Sequence, residues 1–164
     1  MRAFLGIDIL FVNKDINHNL LNEVKSHHLT LFFWDDLSEA ESKDMQKKMG
    51  TIEEKRFFLT ADRIISFPDK EKPQLLALGF KEEEIIQKFR ERIISLLQLA
   101  DKTIFHPHVT LYRKEKLDSS FKVSKEIYKK INETKITIDN VSLYSSDPQK
   151  GLNQYRLLKK ILLE

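Results

Sequence analysis

The chain writes one short phrase twice, as His27-His28-Leu29-Thr30-Leu31 and as His106-Pro107-His108-Val109-Thr110-Leu111. In each copy a histidine is followed two residues later by a threonine and then by a leucine. In an extended strand, residues i and i+2 face the same way, about 7 Å apart. His28 and Thr30 therefore share one face, with Leu29 and Leu31 opposite. His108 and Thr110 share a face in the same way, opposed to Val109 and Leu111. Five histidines and seven threonines in 164 residues would give roughly 0.2 such triplets by chance. The taste of threonine for β structure explains one copy more readily than two.

Two imidazoles and two hydroxyls brought to one small volume suit a phosphoester. A histidine titrates near pH 6.5, so one can take a proton from an attacking oxygen while the other gives one to a departing oxygen. Threonine hydroxyls can donate to the non-bridging oxygens and stabilise the charge that develops there. No metal or other cofactor is required by this scheme. A zinc site built from His27, His28, His106 and His108 is the competing arrangement. It leaves both threonines unused, and strand alternation turns His27 away from His28. His106 is expected at the strand entrance, before Pro107.

Such groups need two strands lying side by side and a core behind them. The length suits a single domain of two small lobes spanning residues 1–164. With 28 Lys plus Arg against 25 Asp plus Glu, the formal charge is only +3, so a nucleic-acid partner would have to meet a local basic cleft. The absence of cysteine removes disulfides, thiol nucleophiles and thiolate metal sites. Asp8 interrupts the opening apolar run, which reads as a buried first strand and not as a leader. No run reaches the ~18 apolar residues of a membrane helix, and a cytoplasmic, soluble monomer is expected.

The pattern alternates strand and helix, as in an α+β protein. Strands are expected over 1–12 and 28–34, in RFFLTADRIISFP up to Pro68, in QLLALGF, and in TIFHPHVTLYR. Ser38 with Glu41 forms a capping box for a helix reaching about Glu54, with Met45, Met49 and Ile52 on its apolar face. A second helix is expected from Lys81 to about Leu97, burying Ile85, Phe89, Ile93 and Leu96. A third is expected around Val123–Ile131. KITIDNVSLYSS and NQYRLLKKILL then read as a closing strand pair with a turn at Asp147-Pro148. The two motif histidines lie half a chain apart, as though one unit had been duplicated.

The two H-x-T motifs, the opening MRAFLGIDI, the FHPHVTLYR context, IISFP and the late QYRLLKKILL stand in the order found in a known family. The chain resembles the 2H phosphoesterases, and among them the RNA 2′,3′-cyclic phosphodiesterases, also called 2′-5′ RNA ligases. The resemblance implies a bilobal 2H phosphoesterase fold, with two pseudo-symmetric lobes, antiparallel sheets lining a central cleft and helices outside. It implies hydrolysis of 2′,3′-cyclic phosphate ends of RNA or nucleotides to 2′-phosphates, with 2′-5′ ligation in reverse. His28 would be the acid, His108 the base, and Thr30 and Thr110 the phosphate-binding residues. Arg113 matches a basic family position able to contact phosphate, but strict alternation faces it away from His108, so a bend after Leu111 is needed. The segment before His27 is shorter than the family's usual one and lacks its Pro and Asn. Two other readings are a non-enzymatic RNA- or nucleotide-binding module and a 2H phosphoesterase for another cyclic nucleotide. On the His parity, Phe32, Trp34 and Tyr112 could stack bases, and Lys25, Lys114 and Lys116 could draw in a polyanion.

Overall fold

The computed structural model describes residues 1–10, 27–67, 75–101, 103–113, 134–146 and 155–164, with backbone alone at 112 and 113. The expected helix around 123–131, the turn at 147–148, Pro68 and the three flanking lysines lie outside the described residues. Eight strands and two helices are described: β1 (Arg2–Ile9), β2 (His27–Trp34), α1 (Glu39–Met49), β3 (Phe57–Phe67), β4 (Leu75–Phe80), α2 (Glu83–Leu96), β5 (Val109–Arg113), β6 (Thr134–Ile138), β7 (Asn140–Ser146) and β8 (Tyr155–Leu162). This is the expected α+β class.

The strands form one antiparallel sheet in the order β6-β3-β4-β5-β2-β1-β7-β8. It divides into two four-stranded lobes, β2-β1-β7-β8 and β5-β4-β3-β6, and the motif strand is innermost in each. The seam between them is narrow: β2 and β5 register through a single pair, Leu29 opposite Val109. A second link passes through Asp139, where the chain leaves β6 beside β3 and enters β7 beside β1. One residue can join such distant places in the strand order only if the sheet curls back on itself, and β1 indeed approaches β6. KITIDNVSLYSS therefore serves both lobes instead of one closing hairpin, while β7 and β8 do pair as expected.

The helices cover one face of the curl. Leu29, Leu31, Val109 and Leu111 are buried there with Met45, Met49, Phe80, Ile86, Phe89 and Ile93. Helix α1 starts at the expected capping box, with the Glu41 N–H donating to Ser38 Oγ at 3.2 Å and the Ser38 N–H to Glu41 Oε2 at 2.9 Å. It stops at Gly50, sooner than expected, and Ile52 stays buried in the loop beyond. The buried face of α2 is rotated from the expected one. Ile86, Phe89, Arg90 and Ile93 point inward, whereas Ile85 and Leu96 are exposed. The reason is Arg90. Its Nε donates to the Leu31 carbonyl at 2.7 Å, its other nitrogen pairs with Asp101, and its guanidinium lies 4.6 Å from the centre of the Phe105 ring. A charged side chain with three partners can occupy the buried stripe, and it carries α2 round with it.

Candidate active site

Both motif strands obey the alternation read from sequence. Leu29, Leu31, Val109 and Leu111 are buried, while His28, Thr30, His108 and Thr110 are half-buried on the opposite face. Continuing the antiparallel alternation from the Leu29–Val109 pair sets His28 opposite Thr110 and Thr30 opposite His108. The four groups make a two-by-two patch across the seam. In regular antiparallel geometry, cross-strand neighbours so placed would stand about 5 Å apart at Cβ and the diagonals about 7–8 Å. The imidazoles occupy one diagonal and the hydroxyls the other. A phosphorus atom above the centre would meet one imidazole on each side and a hydroxyl on each remaining side.

The leucine repeated in both motifs has a specific place. Thr30 and Phe32 stand opposite the adjacent residues Gly6 and Leu5, so Leu31 is an extra residue with no partner in β1. Thr110 and Tyr112 stand opposite the adjacent residues Ala77 and Leu76, so Leu111 is extra in the same way. Each strand bulges at the fourth position of its H-x-T-L phrase. A bulge reverses the alternation beyond it. Phe32 and Trp34 consequently pack against the core and not over the patch, and Tyr112 stands opposite buried Leu76. The expectation that Phe32 and Trp34 face the histidines is corrected by the bulge at Leu31. The bulge at Leu111 also shifts the backbone register at Arg113. Arg113 registers opposite Leu75, two residues from Ala77, which registers opposite Thr110. Its backbone position thus falls on the row of the patch.

Each bulge leaves backbone groups needing partners. Arg90 supplies a donor to the Leu31 carbonyl. His27, turned away from His28 by alternation, has Nδ1 3.2 Å from the Thr110 carbonyl. A carbonyl only accepts, so His27 donates from Nδ1 and replaces a missing rung of the seam. Burial pushes its imidazole below the ordinary histidine range, and the bond to Thr110 pulls the other way. No group of three His, Asp or Glu side chains able to hold a metal occurs among the described residues.

The two patch histidines are held differently. His108 has Nδ1 2.7 Å from the carbonyl of His106. By the same logic Nδ1 donates, so Nε2 is the nitrogen that could exchange a proton with a reacting oxygen. Phe67 lies beside this ring at 5.5 Å between centroids. The His106 ring itself is exposed ahead of β5, as expected of an entrance residue. His28 is held by aromatic rings that the sequence reading did not single out. Phe4 stacks on it at 4.7 Å and Tyr155 meets it edge-on at 5.2 Å. Tyr144 stacks on Phe4 at 5.1 Å and donates its hydroxyl to Asp8 at 2.5 Å. Burial and that carboxylate push the Tyr144 hydroxyl far above the usual tyrosine range. Asp8, opposite His28 in register, also accepts from Lys160 Nζ at 2.8 Å and Ser142 Oγ at 3.2 Å. Alternation in β1 places Phe4, Gly6 and Asp8 on the patch face. That was the available signal.

Gly6 makes room for this arrangement. A Cβ there would lie 3.3 Å from two atoms of the Phe4 ring and 3.1 Å from the Leu29 carbonyl. Gly6→Ala should therefore displace Phe4 and loosen His28. Overpacking of this kind costs about 1–3 kcal/mol. A fall in melting temperature should accompany a kcat loss that Phe4→Leu reproduces in direction. An alanine variant with native melting temperature and kcat would remove this role for the glycine.

No family model matches the chain. Two curated relatives do. The RNA 2′,3′-cyclic phosphodiesterase of Aeropyrum pernix is 29% identical over 96 residues, covering 56% of this chain and 54% of the relative. That of Bacillus subtilis is 30% identical over 94 residues, covering 54% of this chain and 51% of the relative. The matches thus span about half the length of either relative. Among solved structures, E. coli LigT complexed with 3′-AMP superimposes with a TM-score of 0.69, at 20% identity, over 99% of this chain and 97% of that one. The chain has the LigT fold. Over about half its length its sequence is also similar to RNA 2′,3′-cyclic phosphodiesterases, the group that the motifs and their surroundings resemble.

Proposed function

We propose that the chain is a phosphodiesterase that opens 2′,3′-cyclic phosphate ends of RNA to 2′-phosphates. The observation that carries this reading is the pairing of the two motif strands at Leu29 and Val109, which brings the His/Thr residues of both lobes to one seam. Water attacks the phosphorus from one side while His108 Nε2 takes its proton. The bond from phosphorus to the 3′ oxygen breaks on the other side, and His28 delivers a proton to that oxygen. The products are a 2′-phosphate monoester and a free 3′-hydroxyl. Thr30 and Thr110 donate to the non-bridging oxygens, and Arg113 offsets their charge. The Nδ1 bond of His108 supports its part as base, because it fixes which nitrogen meets the water. With the 5′-hydroxyl of a second RNA strand in place of water, the same groups support 2′-5′ ligation: His108 takes the 5′-hydroxyl proton as that oxygen bonds to phosphorus, the bond to the 3′ oxygen breaks, and His28 protonates the departing 3′ oxygen.

The test is incubation with an RNA ending in a 2′,3′-cyclic phosphate, with and without a chelator, and identification of the product phosphate. Accumulation of 2′-phosphate at equal rates in both reactions is expected. A 3′-phosphate product would overturn the assignment of leaving group. Loss of activity on chelation would overturn the metal-independent mechanism, and binding without turnover would leave a recognition module in its place.

A further inference from the structure

Beyond His28, the patch face carries a pair of groups that the phosphate chemistry does not use. Arg2 shares a face with Phe4 by strand alternation, and Phe33 stands opposite Phe4 in the β1–β2 register. Phe33 reaches this face only because the bulge at Leu31 reverses the alternation of β2. Phe33 is 40% exposed, and Arg2 Cζ lies over its ring, 5.0 Å from the centre. Arg2 is exposed and makes no ion pair among the described residues. A solitary exposed phenylalanine is ordinary. Here an exposed ring overlaid by an unneutralised guanidinium lies on the functional face, one side chain away from a catalytic candidate. Single-stranded nucleic acid is gripped by this combination, with a base stacked on the ring and a phosphate drawn to the cation.

We propose that Phe33 and Arg2 form a subsite for the nucleotide adjoining the one that bears the cyclic phosphate. The base would stack on Phe33, and the intervening phosphodiester would pair with Arg2. This rests on reading the His/Thr patch as a cyclic phosphodiesterase site. Spacing selects the adjoining nucleotide. The buried Phe4 ring fills the interval, 4.7 Å from His28 on one side and a cross-strand neighbour of Phe33 on the other. Along the β1–β2 ladder, Phe33 stands opposite Phe4 and His28 opposite Asp8, four positions or roughly 13 Å apart at the backbone. A base on the same ribose as the cyclic phosphate sits one sugar ring from it, so the wider span fits the next residue of the strand.

The experiment compares a mononucleotide with a dinucleotide, each ending in a 2′,3′-cyclic phosphate. Stacking on an aromatic side chain is worth about 1–3 kcal/mol per base. Phe33→Ala should therefore lower the dinucleotide-to-mononucleotide ratio of kcat/KM by about tenfold, through KM, and Phe33→Trp should restore it. Arg2→Gln should lower the same ratio and flatten the salt dependence of the dinucleotide KM. An unchanged ratio in both Phe33→Ala and Arg2→Gln overturns the subsite, including the case in which both substrates suffer equally. If the wild type turns over neither substrate, the enzymatic reading falls by itself. The subsite is then judged by fluorescence anisotropy with a short single-stranded RNA ending in a 2′-phosphate. Weaker binding by Phe33→Ala sustains it, and equal binding overturns it.

Discussion

Replacing His108 by alanine should lower kcat on a 2′,3′-cyclic phosphate by about 10²–10⁴-fold, the usual worth of a positioned general base. The effect should fall on kcat more than on KM, because the base acts as the bond is made and does little to hold the ground state. His28→Ala should cost a similar factor. The double variant should lose much less than the product of the two, since acid and base serve one concerted step. The pH profile separates their roles. On the proposed roles, a base must be deprotonated, so His108 should govern the rise of activity with pH; an acid must be protonated, so His28 should govern the fall. Residual turnover in His108→Ala should therefore lose the rising limb, and that in His28→Ala the falling limb. Swapped limbs would exchange the two assignments, and full activity in either variant would end the two-histidine mechanism. Both side chains are only half-buried, so circular dichroism should report folded proteins. Loss of the ring stacked on Phe4 makes His28→Ala the less stable of the two.

Arg90→Ala should be the most damaging change away from the patch. It removes the donor to the Leu31 carbonyl and leaves Asp101, 11% exposed, without its guanidinium. Breaking a buried pair by deleting one partner costs about 3–5 kcal/mol. In a chain of this size that corresponds to a melting temperature lower by about 10 °C. Arg90→Lys should recover little, because a point charge cannot serve a carbonyl, a carboxylate and an aromatic face together. The loss should depend on pH. Burial alone would raise the Asp101 carboxyl, but the Thr103 N–H and hydroxyl together with Arg90 outweigh it and hold it below the usual range. The stabilisation is complete above the carboxylate's unfolded value and disappears as pH falls through the lower folded one. The wild-type advantage over Arg90→Ala should accordingly shrink in acid. A substitution that leaves the melting curve unchanged at neutral pH would show that Arg90 does not brace the seam. Because Leu31 follows one motif and Phe105 precedes the other, kcat should fall along with stability.

The catalytic candidates were legible because strand alternation has a period of two and each motif is too short for the alternation to fail. His28, Thr30, His108 and Thr110 all came out on one face. Alternation failed one residue later, at Leu31 and Leu111, where nothing in the side chains announces an unpaired residue. A buried leucine is compatible with either pairing, so Phe32 and Trp34 were assigned to the wrong side and Phe33 was overlooked. Arg90 was invisible for a related reason. Hydropathy places arginine outside, and only the bulged carbonyl and Asp101, 59 residues before it and 11 after it, make its burial favourable. The split between β6 and β7 left only a faint trace. The apolar alternation of KITIDNVSLYSS changes phase across Asp139-Asn140, from Ile136 and Ile138 to Val141 and Leu143, but a change of phase does not say that the partner strand changes as well.

The passage through Asp139 bears on how the molecule is made. β1 must lie between β2 and β7, so one flank of the first strand stays open until residues 140–146 have been synthesised. Pairings this distant in sequence are slow to close and leave an apolar edge exposed in the interval. The His28 side of the patch, leaning on Phe4 and Tyr155, has all its ring contacts only after the strand at 155–162 has docked. In a nascent chain both motif histidines would be present well before His28 is fixed in place. Competence would arrive with the late strands and not with the motifs.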